Sequence, residues 1–154
     1  MSILICYDGS DSAKRALSVA HNTLGDGPMV LLHVWNHPDA VLADAFSTRA
    51  AESGAAPAQD KLEGLARRRA DEVIDEGRAR AAELGMVVQT REAPSHDSVW
   101  QAILEVADEL DAELIVAGTH GTTAVQELTL GSVSGGLVHH SERPVLIVPA
   151  GRRG

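Results

Sequence analysis

The sequence predicts an α/β protein: a three-layer sandwich with one five-stranded parallel sheet, strand order 3-2-1-4-5, between two layers of helices. Three observations lead there. Short apolar runs alternate with longer stretches of helical periodicity, the pattern of βα units joined by right-handed crossovers. Only 3% of the 154 residues are aromatic while 44% are hydrophobic, so the core is aliphatic, as suits strands covered by helices. Two strand ends carry polar, glycine-containing turns, Asp8-Gly9-Ser10 and Gly118-Thr119-His120-Gly121. Ligands of such sheets sit beyond the carboxyl ends of the strands, where the strand order reverses. For both turns to serve one ligand, strands one and four must be neighbours, and the order 3-2-1-4-5 makes them so.

The first strand is the apolar run at residues 2–7, ended by the turn cluster from Asp8 to Ser12. Ala13, Ala16, Leu17, Ala20 and Leu24 follow at helical spacing, and Gly25-Asp26-Gly27-Pro28 breaks that helix. Residues 29–34 form strand two. Residues 35–59 carry Pro38, Gly54, Pro57 and many alanines without a clean period, and read as a lid-like or partly helical insertion. The longest helix spans 60–84, with Leu62, Ala66, Ala70, Val73, Gly77, Ala81 and Leu84 on one stripe. Strand three is placed at 86–90. Pro94-Ser95 opens the next helix, whose inner face is Val99, Ile103, Val106 and Leu110. Strand four spans 113–117, a helix runs from Ser132 to about His140, and Arg143-Pro144 stops it before strand five at 145–148. Residues 1–150 are read as one domain and 151–154 as a loose tail.

Charge and composition restrict the partners. The net charge is −9, which disfavours duplex DNA or an anionic membrane, since both need a positive footprint. The cluster Arg67-Arg68-Arg69 is flanked by Glu63, Asp71 and Glu72 and reads as a solvated helix face. Cys6 is the single cysteine; it permits no intrachain disulfide and no cysteine-based zinc site, and within an apolar strand it reads as a core residue. Asp8 interrupts the N-terminal apolar run, so no secretory leader is expected, and the expected compartment is the cytoplasm.

The informative stretch is Gly118-Thr119-His120-Gly121, nine further residues, then Gly131-Ser132. An apolar strand precedes it and a helix follows. A helix N-terminus offers free N–H groups and the positive end of the helix dipole, which suits a phosphate. Glycines there permit a positive φ or a close backbone approach, and the hydroxyls of Ser132 and Ser134 add donors. The pattern Gly-x2-Gly-x9-Gly-Ser in this context resembles the nucleotide-binding signature of the universal stress protein family. Residues 3–10, ending in Tyr-Asp-Gly-Ser, resemble that family's first strand and acidic turn. Leu31-Leu32-His33-Val34 resembles its second strand, Ala112 to Gly118 its fourth, and Arg143 to Pro149 its closing strand.

The resemblance implies a Rossmann-like fold of the adenine nucleotide alpha-hydrolase type and assigns roles. Asp8 matches the acidic residue near the nucleoside or a bound metal. Val34 matches the position whose backbone meets the adenine edge. Gly118, His120, Gly121, Gly131, Ser132, Val133 and Ser134 match the ribose and phosphate loop. The implied ligand is ATP, ADP or AMP, with Mg²⁺ for the triphosphate, in a cytoplasmic stress-response sensor or regulator. A homodimer through Val145–Val148 is also implied, since that strand lies at the sheet edge. One departure stands out: residues 122–130 contain no Lys or Arg, and Glu127 is acidic, which weakens side-chain support for a triphosphate.

Other chemistries fit less well. Asp8 and Asp11 do not form the Asp-x-Asp of a phosphatase loop, because Ser10 holds the second position. His96-Asp97-Ser98 is contiguous, whereas catalytic triads are assembled in space. His33, His37, His139 and His140 lack a metal-ligand spacing; His139 and His140 suit the negative end of a helix. The competing functions are a weak ATPase or phosphohydrolase using Asp8, a metal and His120, and a dimeric interaction module with no nucleotide.

Overall fold

A computed structural model describes residues 2–38, 56–119 and 130–151, with backbone alone for 56–59. Five strands form one parallel sheet: β1 (Ser2–Cys6), β2 (Met29–Asn36), β3 (Val88–Ser95), β4 (Ala112–Gly118) and β5 (Val145–Val148), in the order β3-β2-β1-β4-β5. The helices are α1 (Asp11–Leu24), α2 (Ala56–Glu83), α3 (Val99–Glu109) and α4 (Ser132–His140). The expected topology is the observed one.

Strand alternation sorts the core into two layers. Ile5, Tyr7, Leu31 and Val116 face α1 and α2, meeting Ala16, Leu17, Ile74 and Ala81. Leu4, Leu32, Ile115 and Ala117 face α3 and α4, meeting Ile103, Val106 and Leu137. The helix α2 lies close to the sheet because Gly77 sits against it. A Cβ there would fall 2.7 Å from Leu31 and 2.9 Å from the Tyr7 ring.

The structure moves several boundaries. β3 runs from Val88 to Ser95 instead of 86–90, and it absorbs the Pro94-Ser95 pair expected to open a helix. β3 is an edge strand, where proline is tolerated because an N–H facing solvent has no ladder partner to lose. The helix after it starts at Val99, with Ser98 at its N-cap. β2 continues through Trp35 and Asn36 because β3 pairs with it as far as Asn36 and Ser95. The helix α2 begins at Ala56, four residues earlier than expected. Leu62, placed on its buried stripe, is 43% exposed, while Ile74 takes a buried place. With 28 residues, α2 spans about 42 Å, whereas the eight-residue β2 and β3 span about 26 Å. Its first turns therefore overhang the carboxyl edge of the sheet. Residues 39–55 of the expected insertion and 152–154 of the expected tail lie outside the described residues. Among the described residues, no helix is long and apolar enough to cross a membrane.

Candidate functional site

A cavity of about 700 Å³ opens at the carboxyl ends of β1, β2 and β4. It spans both layers. Val73 and Ala13 line it from the side of α1 and α2, and Val99, Ile103 and Val133 from the side of α3 and α4. This is the reversal point of the strand order, where β1 has β2 on one side and β4 on the other.

Asp8 and Ser10 of the first turn and Gly118 of the second all line this cavity. Asp8 lines the cavity, and its Oδ1 accepts a 2.9 Å hydrogen bond from the Ser10 amide. Gly9 holds the turn with φ +81°, a conformation glycine adopts without strain. Ser10 caps α1: its side chain accepts from the Ala13 amide. Val34 lines the cavity from β2. Gly118 lines it at the end of β4, but the close approach it permits is to protein. A Cβ there would fall 2.2 Å from Ser12 Oγ and 2.9 Å from the Ser12 carbonyl carbon, so α1 is seated on β4 through this glycine.

Gly131, Ser132, Val133 and Ser134 line the opposite wall. Gly131 is the N-cap of α4, and no side chain caps the helix there. The Gly131 amide donates to Thr119 (2.9 Å). Among the described residues, nothing accepts from the amides of Ser132, Val133 and Ser134, so the first turn of α4 presents bare donors. Ser134 differs from expectation in one respect. Its hydroxyl is buried and donates to the Thr119 carbonyl at 2.7 Å, tying α4 to the end of β4. Its contribution to the cavity wall is therefore not a free hydroxyl proton. His120 and Gly121 lie outside the described residues.

The cavity also contains groups that sequence reasoning left out. Cys6, His33, Trp35 and Asn36 line it. Burial pushes the Cys6 thiol up to about 12, with the Asp8 charge adding to the shift, so the thiol stays protonated near neutrality. His33 donates from Nδ1 to the Tyr7 carbonyl at 2.8 Å, and burial holds its pKa below the ordinary imidazole value. The Tyr7 hydroxyl donates to Glu76 at 2.9 Å, which Lys14 approaches at 3.4 Å. The Tyr7 bond, ahead of the Lys14 and Arg80 charges, draws the Glu76 carboxyl below its usual range. Arg69, read as part of a solvated face, belongs to the cavity wall. Arg67 on the same turn pairs instead with Glu63 at 3.1 Å. The signal for Arg69 was its position beside Ala66, Ala70 and Val73 on the inner stripe of α2, which the neighbouring charges obscured.

Among known proteins, the model of the universal stress protein family matches residues 1–149. A universal stress protein of Thermus aquaticus is 34% identical over 149 residues, covering 96% of this chain and 97% of the relative. The chain belongs to the universal stress protein family. In fold it resembles the solved structure of MJ0577, a universal stress protein of Methanocaldococcus jannaschii, with a TM-score of 0.74, 22% identity, and coverage of 99% of this chain and 96% of that one. Three further structures of the family hold nucleotides. One is a complex with cAMP (TM-score 0.63, 24% identity, 98% of each chain). Another, from Arabidopsis thaliana, has AMP bound (TM-score 0.64, 15% identity, 97% and 91% of the two chains). The third, from Archaeoglobus fulgidus, is in complex with dAMP (TM-score 0.61, 20% identity, 96% and 97%).

Proposed function

We propose that this cavity binds an adenine nucleotide, with phosphates at the N-terminus of α4 and the base toward Val34 on β2. The observation that carries the reading is the uncapped first turn of α4. Three amides with no acceptor among the described residues, at the positive end of a helix, form an anion site that does not depend on side-chain charge. The cavity volume falls within the range of small-molecule sites. Family members holding AMP, dAMP and cAMP share an adenine and a 5′-phosphate; dAMP differs from AMP in the sugar and cAMP in the cyclisation of the phosphate.

In the fuller form of this reading the ligand is ATP, with ADP and AMP as its shorter relatives, and the protein is a stress-response sensor or regulator in the cytoplasm. Asp8, Val34, Gly118, Gly131, Ser132, Val133 and Ser134 contact the nucleotide, joined by His120 and Gly121 from the loop. Mg²⁺ accompanies the triphosphate. Among the described residues no cluster of three His, Cys, Asp or Glu side chains offers an all-protein metal cage. Asp8 is the one carboxylate lining the cavity among them. That donor set fits a Mg²⁺ held by phosphate oxygens, water and a single carboxylate. The protein acts as a homodimer joined through β5.

Calorimetric titration of the full chain with ATP, ADP and AMP, with and without Mg²⁺, tests the proposal, together with mass spectrometry of nucleotide retained through native purification. Saturable binding of at least one adenine nucleotide is expected. No heat and no retained nucleotide under any of these conditions would defeat it.

A further inference from the structure

One polar atom in the cavity wall has its chemistry fixed by the packing around it. His33 is 9% exposed and lines the cavity from β2, beside Val34. Its Nδ1 lies 2.8 Å from the Tyr7 carbonyl oxygen. A carbonyl only accepts, so the proton sits on Nδ1 and Nε2 is a bare lone pair. Among the described residues, nothing donates to Nε2. It is also not sealed inside the protein: the enclosed side-chain atoms without a partner are Ser95 Oγ and Ser98 Oγ. His33 keeps this small exposure as one of the residues that line the cavity.

We propose that His33 Nε2 accepts a hydrogen bond from the 6-amino group of the bound purine, so that His33 selects 6-amino purine nucleotides over 6-oxo ones. This rests on the nucleotide reading above. An adenine nucleotide carries two kinds of donor, the 6-amino group and the sugar hydroxyls. Placement favours the first. The phosphate site is at α4, which follows β4, and β1 separates β4 from β2. His33 is thus two strand spacings away, about 10 Å, where the base and not the sugar reaches when phosphate occupies the helix terminus. A 6-oxo purine would set its own oxygen lone pairs against Nε2 and leave a buried acceptor without a donor, which favours the amino purine by on the order of tenfold or more.

The test compares AMP with IMP on the full chain. The wild-type protein is expected to bind AMP on the order of tenfold tighter than IMP. In His33→Asn the side-chain amide can still donate to the Tyr7 carbonyl, while nothing replaces Nε2. There the ratio is expected to fall to within about twofold, with the ligand-free protein still folding cooperatively. A ratio unchanged in His33→Asn, or a wild type that binds both nucleotides equally, overturns the proposal and leaves nucleotide binding standing. If neither nucleotide binds the wild type, both readings fall together. A second measurement needs no variant. In ¹⁵N spectra of the wild-type protein, the unprotonated Nε2 resonance of His33 is expected to move with AMP and with 2′-deoxy-AMP, and to stay in place with purine riboside monophosphate, which lacks the amino group. A shift that persists with purine riboside monophosphate would assign the contact to the sugar and overturn the proposal.

Discussion

His33 shows how one buried residue ties stability to pH. Removing the imidazole from water disfavours its cation, and this outweighs the opposing influences of the Tyr7 carbonyl and the Asp8 charge. The folded-state pKa therefore lies below the ordinary value of 6.5. Between those two values the unfolded chain takes up a proton that the folded chain refuses, so stability falls as the pH drops through that window. Above 6.5 the residue is neutral in both states and has no effect. Below the folded-state pKa the penalty is complete and constant. Thermal melts of wild-type protein and His33→Asn between pH 7.5 and about 5 are expected to converge on acidification, since the variant lacks this one acid-sensitive group. Parallel curves would show that His33 does not titrate differently on folding. The sequence disclosed that a histidine sat next to Val34. It did not disclose that the Tyr7 carbonyl would fix its tautomer, because that bond joins neighbouring strands 26 positions apart.

Two helices offer tests in which the same local rule gives opposite results in different surroundings. On α2, Gly64 and Gly77 are both helical glycines, and alanine has the higher helix propensity by about 1 kcal/mol. At Gly64 an added Cβ meets nothing within 4 Å, so Gly64→Ala is expected to stabilise by up to about 1 kcal/mol. At Gly77 the Cβ would press on Leu31 and the Tyr7 ring, both fully or nearly fully buried. Overpacking of this kind costs about 1–3 kcal/mol, so Gly77→Ala is expected to destabilise on balance. Urea unfolding of the two variants checks the pair, and equal signs would refute the packing argument. On α4, Ser132→Asp places a carboxylate on the uncapped first turn. Against the helix dipole it should stabilise the ligand-free protein by about 0.3–1 kcal/mol. If phosphate binds there, the same charge should weaken AMP binding by on the order of tenfold. Calorimetry and melting temperature moving in opposite directions would locate the anion site; unchanged affinity would remove α4 from it. These elements were legible because their periodicities are strong. The end of β3 was not, because Pro94 signals a helix start in isolation and is harmless on an edge strand.

At the scale of the molecule, the strand order could be read from the sequence because two polar turns had to share one ligand. The shape of the cavity could not, because a basic cluster flanked by acidic residues gives no sign that Arg69 stands in the cavity wall. The open edge at β5 is the remaining whole-molecule question, and the hydrogen-bond pattern makes it testable. Pro144 and Val148 turn their carbonyls toward β4, accepting from Ile115 and Thr119. In a strand the backbone groups of alternate residues point to opposite sides, so Val145 and Ile147 direct their N–H and C=O groups away from β4. Nothing among the described residues pairs with them, and an unpaired apolar edge of this kind invites a second copy of the chain. The strand has only four residues and is flanked by Pro144 and Pro149, which limits how far such pairing extends and favours a closed dimer over a growing sheet. Light scattering is expected to give twice the 16.2 kDa chain mass at micromolar concentration. Ile147→Pro removes an outward N–H while leaving the bonds to β4 in place, so it should yield a folded monomer. The packing lost at a half-buried isoleucine would cost about 1–3 kcal/mol of stability without unfolding the sheet. A wild-type chain that is monomeric, or an Ile147→Pro variant that remains dimeric, would show that β5 is not the joint between copies.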